Sequence, residues 1–299
     1  MNHLPIFYAA TFANISVFTV DNLLARIMSD QKLNALKDLP SSNERSPLLF
    51  VGHGSPMNGI EDNVFSETWE RLGREITPPA AVIVVSAHWF TKGTFVTAMD
   101  QPRTIHDFYG FPQKLFDVQY PAPGNPVLAK ETQSLIRKTE AGLDHEWGLD
   151  HGTWSVVRRM FPQANIPVLQ LSIDYTKSPA FHYEMARELA SLRKKNVLII
   201  GSGNMVHNLG VIDWRQPESG YDWANEMNDK FKQLITNGDY TPLIKYDSLG
   251  QAARLSIPTP EHYLPLLYVL GLKEDNETVS FFNDKTVMGS ISMTGVRIH

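Results

Sequence analysis

Four histidines stand where a short apolar run gives way to a turn marked by glycine or proline: His53, His88, His207 and His262. Neutral imidazole is the commonest protein ligand for a transition metal, so this repeated placement points to a mononuclear metal site. His151 sits in a similar setting without an obvious strand before it, and it reads as a catalytic histidine beside that site. A lone histidine is ordinarily a surface or hydrogen-bonded packing group, and His3, His145, His182 and His299 are left in that class. The other four argue jointly, because independent surface histidines have no reason to collect at the ends of apolar runs. No short local zinc signature such as HExxH accompanies them.

Positioning such residues requires strands that end together. Leu48 to Val51, Ala81 to Val85, Ile166 to Ile173 and Val197 to Ile200 are short runs rich in Val, Ile and Leu, which read as buried parallel strands. Helical spacing appears over Leu128 to Lys138, over Ala180 to Arg193 and over Tyr221 to Ile235. A further helix is expected from Pro260, with Thr259 as its N-cap and Gly271 as its end. Residues 279 to 298 read as short closing strands. Together these predict one α/β domain with a mostly parallel central sheet flanked by helices, and a metal site at the carboxyl ends of the strands. His53 then follows the first strand in GHGSPMN, and His88 follows the second in SAHWF. His207 follows a later strand in GSGNMVHN, and His262 falls in the first turn of the PEHYLPL helix.

Composition narrows the function classes. The 299 residues are 42% hydrophobic and 20% charged, with a net charge of −5, which is ordinary globular chemistry without the basic footprint of a nucleic-acid binder. The absence of cysteine removes disulfides, thiolate nucleophiles and Cys-held metals together, leaving His, Asp and Glu as ligands. It also fits a reducing compartment, and a cytoplasmic location is expected. Leu4 to Val20 is apolar but has no Lys or Arg before it and is broken by Asn14, Ser16 and Thr19. Residues 1–27 are therefore read as an upstream-start extension. Residues 1–45 are expected to lie outside the catalytic fold, which takes 46–299, and no membrane attachment is expected. GSGNMV has Val206 where a dinucleotide fingerprint needs its third glycine, and no GxSxG elbow occurs, so neither a nucleotide cofactor nor a serine hydrolase is expected.

The motifs themselves carry a resemblance. GHGSPMN at 52–58, VSAHWFTKGT at 85–94, TIHDFYGFP at 104–112, DHGTWSV at 150–156, GSGNMVHNL at 201–209 and PTPEHYLPLLYVLG at 258–271 resemble, in order, the 4,5-DOPA dioxygenase extradiol family of class III ring-opening dioxygenases. The resemblance runs from about Pro47 to the C-terminus. It implies metal-dependent opening of a catechol such as L-DOPA by O2, to give a ring-opened semialdehyde. It puts the metal positions on His53, His88, His207 and His262 and the acid/base histidine on His151, with His207 also open to an acid/base role. It implies one divalent metal per chain, zinc or non-haem Fe(II). The wider superfamily commonly pairs two histidines with a carboxylate, so Glu261 competes with His262 for the metal. His106 and Tyr109 are placed near the substrate ring, with Phe111 in the same loop, whereas Trp89 and Trp154 read as packing. Two other readings stay open at this level: a zinc hydrolase using a His-bound water, and a catechol-binding metalloprotein without turnover.

Overall fold

The computed structural model describes residues 45–299. Apart from Arg45, the expectations for residues 1–27 and for a 1–45 extension lie outside the described residues.

Among the described residues ten strands form: β1 (Leu48–Gly52), β2 (Ala81–Thr91), β3 (Thr94–Thr97), β4 (Ala141–Asp144), β5 (Val168–Asp174), β6 (Val197–Gly203), β7 (Val279–Phe282), β8 (Thr286–Val287), β9 (Ile291–Ser292) and β10 (Gly295–Ile298). Eight of them make one sheet in the order β4-β3-β5-β2-β6-β1-β10-β7, and β8 pairs with β9 separately. The central strands β5, β2, β6 and β1 are mutually parallel. Towards one edge β10 and β7 pair antiparallel. Towards the other, β3 and β4 are parallel to each other but antiparallel to β5. The expected mostly parallel α/β sheet is present, with the closing strands expected over 279–298 supplying one edge and an unannounced β3–β4 pair the other.

Six principal helices cover its two faces: α1 (Val64–Glu75), α2 (Pro126–Leu135), α3 (His151–Met160), α4 (Pro179–Ala186), α5 (Asp222–Asn237) and α6 (Leu264–Gly271). Side chains alternate along each strand, so both faces must be apolar when both are covered. Leu48 and Phe50 of β1 join Met185, Phe231 and Leu266 from α4, α5 and α6 on one side. Leu49 and Val51 join Trp69 and Leu72 of α1 and Trp154, Val157 and Met160 of α3 on the other. Among the described residues, no helix is long and apolar enough to cross a membrane.

Three elements depart from the sequence reading. The segment expected as one helix over Ala180 to Arg193 is α4 followed by a 3₁₀ turn, Arg187–Leu189, and a final short helix, Ala190–Arg193. β2 does not stop at Val85 but continues to Thr91 through a register shift between Val85 and Phe90. The helix expected from Pro260 starts instead at Leu264.

His182, left in the class of surface or hydrogen-bonded packing groups, is of the packing kind: it is completely buried, with Nδ1 2.9 Å from the Tyr268 hydroxyl on α6. Burial lowers its pKa to about 4, against a smaller opposing pull from the Asp174 carboxylate. The unfolded chain therefore takes up a proton at His182 near pH 6.5, before the folded protein does. Stability from this residue is full above that pH and is lost as pH falls towards 4, by up to about 3 kcal/mol. Urea unfolding of the protein and of His182→Gln from pH 7 to pH 4 should show a shallower acid loss in the variant. Parallel curves would refute this assignment.

Candidate metal centre

His53 is the first residue beyond β1, and its N–H donates to the Gly203 carbonyl at the end of β6 (3.1 Å). His88 projects from within β2, in the irregular stretch where the ladder to β5 shifts register. His151 opens α3. The side chain of Asp150 caps that helix by accepting from the Thr153 N–H (2.9 Å). His207 follows β6 and pairs its backbone with Ile291 of β9. His262 sits in the turn before α6 rather than in the helix: the Tyr263 and Leu264 N–H groups both return to the Pro260 carbonyl. Thr259 does not cap that helix, because its hydroxyl donates to Glu261 at 2.7 Å. This turn presses directly on β6. A Cβ added at Gly203 would lie 2.1 Å from the His262 carbonyl oxygen, so glycine is required for the close approach.

All five histidines line one cavity of about 350 Å³. The His53 ring centre lies 5.0 Å from that of His88 and 5.4 Å from that of His262, and the His88 and His262 centres are 5.1 Å apart. His151 packs at 3.9 Å from His88, and His207 stacks on His262 at 3.5 Å with the rings nearly parallel. Their donor atoms fall into two groups, each within 4.8 Å: His53, His88 and His151 on one side, and His207, Glu261 and His262 on the other.

Hydrogen bonds behind the rings fix which nitrogens are bare. The Ser202 hydroxyl donates to the Gly152 carbonyl at 2.6 Å, so towards His53 Nδ1, 3.0 Å away, it acts as an acceptor. That puts the His53 proton on Nδ1 and leaves Nε2 without one. His88 Nδ1 lies 3.3 Å from the Asp107 Oδ2 carboxylate oxygen, an acceptor-only neighbour that favours the proton on Nδ1 and a bare Nε2. The two Nε2 atoms face each other at 3.1 Å. Two nitrogens at 2.0–2.1 Å from one tetrahedral ion stand about 3.3 Å apart, so this pair fits a shared divalent cation. Glu261 Oε1 lies 3.3 Å from His262 Nδ1, behind the ring. Glu261 is not among the cavity-lining residues, and this favours the imidazole over the carboxylate as the group facing the cavity.

The charges of the site follow from its burial. Desolvation, reinforced by the neighbouring imidazoles, holds His53 and His262 well below the usual histidine range. Burial followed by the charge of His151 lowers His88 to about 3, with Asp107 opposing, and burial with His151 lowers His207 to about 4. These four rings are thus neutral near pH 7, the form a ligand needs. Asp107 is pushed up by burial, but its bond to His151 and the charges of His151 and His88 outweigh that and bring it to about 2. Its Oδ1 accepts the His151 backbone N–H at 2.9 Å and stands 3.0 Å from that ring's Nδ1.

Behind α3, Asp150 is fully buried, and burial raises its pKa while bonds from Gln170 and Ser86 oppose the rise. Gln170 Nε2 donates to Oδ2 at 2.6 Å, and the Ser86 hydroxyl donates to Oδ1 at 2.7 Å.

Of the two residues placed near the substrate, Tyr109 lines the mouth of the cavity and is 92% exposed. His106 does not line it. Its Nε2 bonds the Val118 carbonyl at 2.9 Å, and its ring packs among Phe108, Phe116 and Trp154, which pins the loop.

Residues 46–297 match the family described as the catalytic LigB subunit of aromatic ring-opening dioxygenase. The chain belongs to this family of dioxygenases. It is 49% identical over 267 residues to the 4,5-DOPA dioxygenase extradiol of Escherichia coli strain K12, covering 88% of this chain and 98% of that one. It is 34% identical to the Beta vulgaris protein of the same name, covering 82% of this chain and 93% of the relative. The crystal structure of an uncharacterized Escherichia coli K12 protein superposes with a TM-score of 0.75 at 44% identity, covering 85% of this chain and all of the other.

In this ring-opening dioxygenase the residues that orient the histidines were not singled out from the sequence. Asp107 sits between His106 and Phe108 in the TIHDFYGFP motif, and a carboxylate in a histidine-bearing loop was the available signal. Ser202 belongs to the GSG run that fails as a nucleotide fingerprint, and no local pattern marks its hydroxyl as a partner of His53. Ser202→Ala removes the acceptor that fixes the His53 tautomer, a change of the kind that typically costs 10–100-fold in metal affinity. Competition of the folded variant against a chelator should show a loss in about that range, whereas unaltered affinity would show that Ser202 does not orient the ligand.

Proposed function

We propose that this enzyme opens a catechol ring with O2 between a hydroxylated carbon and its unhydroxylated neighbour, giving a semialdehyde. The observation that carries the reading is the pair of bare Nε2 atoms of His53 and His88 facing each other at 3.1 Å in a cavity walled by aromatic side chains. His53 and His88 would hold one divalent metal, with His262 and His207 completing the donor set from the opposite wall. Fe(II), when bound, supplies the electron exchange between a catechol and O2 that zinc, lacking an accessible redox change, does not. L-DOPA is the reference substrate suggested by the names of the relatives.

The protein's own part is proton handling and positioning. His151 stands against His88 and receives the proton that a catechol hydroxyl gives up, while Asp107 holds the imidazole from behind and stabilises its charged form. Phe108 and Phe111 wall the cavity and offer ring faces to the substrate. Both oxygen atoms of O2 enter the product, so the reaction balances without a reductant. A cysteine-free chain suits a reducing compartment, and we place the enzyme in the cytoplasm.

Protein loaded anaerobically with Fe(II), mixed with L-DOPA or simpler catechols and then given O2, should form a yellow product with one O2 consumed per ring. His151→Ala should lower kcat by about 10²–10⁴-fold with iron content retained. No oxygen uptake with any catechol after verified iron loading would sink the proposal.

A further inference from the structure

The cavity is polar at its floor and apolar at its mouth. The histidines and Asp107 are the more buried part of the lining, whereas Tyr109, Leu209 and Trp214 are its exposed rim. Tyr109 is 92% exposed, Trp214 74% and Leu209 63%, which is unusual for three large apolar side chains around one opening. Even at the roughly 30 Å³ that a water molecule takes up in the liquid, the eight heavy atoms of catechol need at most about 240 Å³. The cavity, at about 350 Å³, has room for a substituent that would extend along this rim.

The charge of the wall limits what that substituent is. Among the described residues no lysine or arginine lines the cavity. Arg215, next in the chain after Trp214, is already engaged by Asp213 through two contacts of 2.9 and 3.1 Å. The acid in the wall, Asp107, is held by His88 and His151. An amino-acid tail would therefore find, among the described residues of the lining, neither a cation for its carboxylate nor an uncommitted anion for its ammonium. Ion pairs with such partners are the strong, specific form of recognition for a charged tail, and the lining offers none.

We infer that the preferred substrates are catechols carrying an uncharged apolar or aromatic substituent, gripped by Tyr109, Leu209 and Trp214, with no recognition of a charged tail. The inference rests on the catechol-opening reading above and adds the substrate class. An aromatic group moved from water onto this rim gains enough to lower KM about tenfold or more.

The test compares catechol, 4-phenylcatechol, L-DOPA and dopamine on the iron-loaded full chain, with KM from oxygen uptake and Kd from calorimetry under nitrogen. The expected result is a KM and Kd for 4-phenylcatechol about tenfold below those of catechol, with L-DOPA and dopamine within about threefold of catechol. Trp214→Ala and Tyr109→Ala should each raise both constants for 4-phenylcatechol several-fold and those for catechol much less. Tightest binding of L-DOPA, or equal constants across the panel, overturns the inference. The anaerobic Kd values report on the rim without turnover, so absence of ring opening alongside a clear 4-phenylcatechol preference defeats the proposed reaction and leaves the rim assignment standing.

Discussion

Two imidazole lone pairs pointed at each other inside a protein are unfavourable unless a cation lies between them, and much of this fold is arranged to keep them there. Water would relieve the repulsion by solvating each ring, and protonation would relieve it by turning one nitrogen into a donor. Burial opposes both, since His53 and His88 are desolvated and further discouraged from charging by neighbouring imidazoles. The price is an expensive polar cluster at the end of a β-sheet, made less costly where a rear nitrogen has an assigned partner. Ser202, Asp107 and Glu261 fill those assignments for His53, His88 and His262.

The scaffold answers the same constraint with rigidity. β1, β2 and β6 are central parallel strands, hydrogen-bonded on both edges, so their carboxyl ends are among the least mobile points of the chain. His88 gains further from lying inside β2, because the ladder resumes at Phe90 and Thr91 opposite Ile173 and Asp174. A ligand held between two paired stretches has less freedom than one on a loop. The helix bearing His151 is fixed differently, by a buried capping carboxylate that is itself gripped by Gln170 and Ser86.

The parts legible in the sequence were those governed by local pattern. Apolar runs ending at Gly52 and after Ile200 placed His53 and His207 at strand ends, because a buried parallel strand leaves a continuous apolar signature. The continuation of β2 past Val85 was hidden, since Ser86 to Phe90 looks mixed in polarity and its pairing depends on β5, some eighty residues away. His262 was put in a helix on the strength of Thr259 and Pro260, a fair capping signal overridden by the packing of that turn on Gly203. Sequence leaves open whether His182 is a surface or a packing group, and only the fold brings Tyr268, 86 residues away, against it. Asp107 was overlooked beside more conspicuous aromatic and histidine neighbours, because its partners His88 and His151 meet it only in three dimensions.

The Ser202 hydroxyl touches two parts of the machinery with a single oxygen. It accepts from His53, after β1, and donates to Gly152, the second residue of α3 and the neighbour of His151. Gly152 in turn sits so close to His88 that a Cβ there would lie 2.9 Å from that ring. Stretches of chain separated by up to about a hundred and fifty residues are thereby fastened at one point. Segments exchanged between relatives would have to travel together: a chimera that takes α3 from one parent and the end of β6 from another mismatches both histidines at once, and the centre behaves as one heritable block rather than a set of interchangeable ligands.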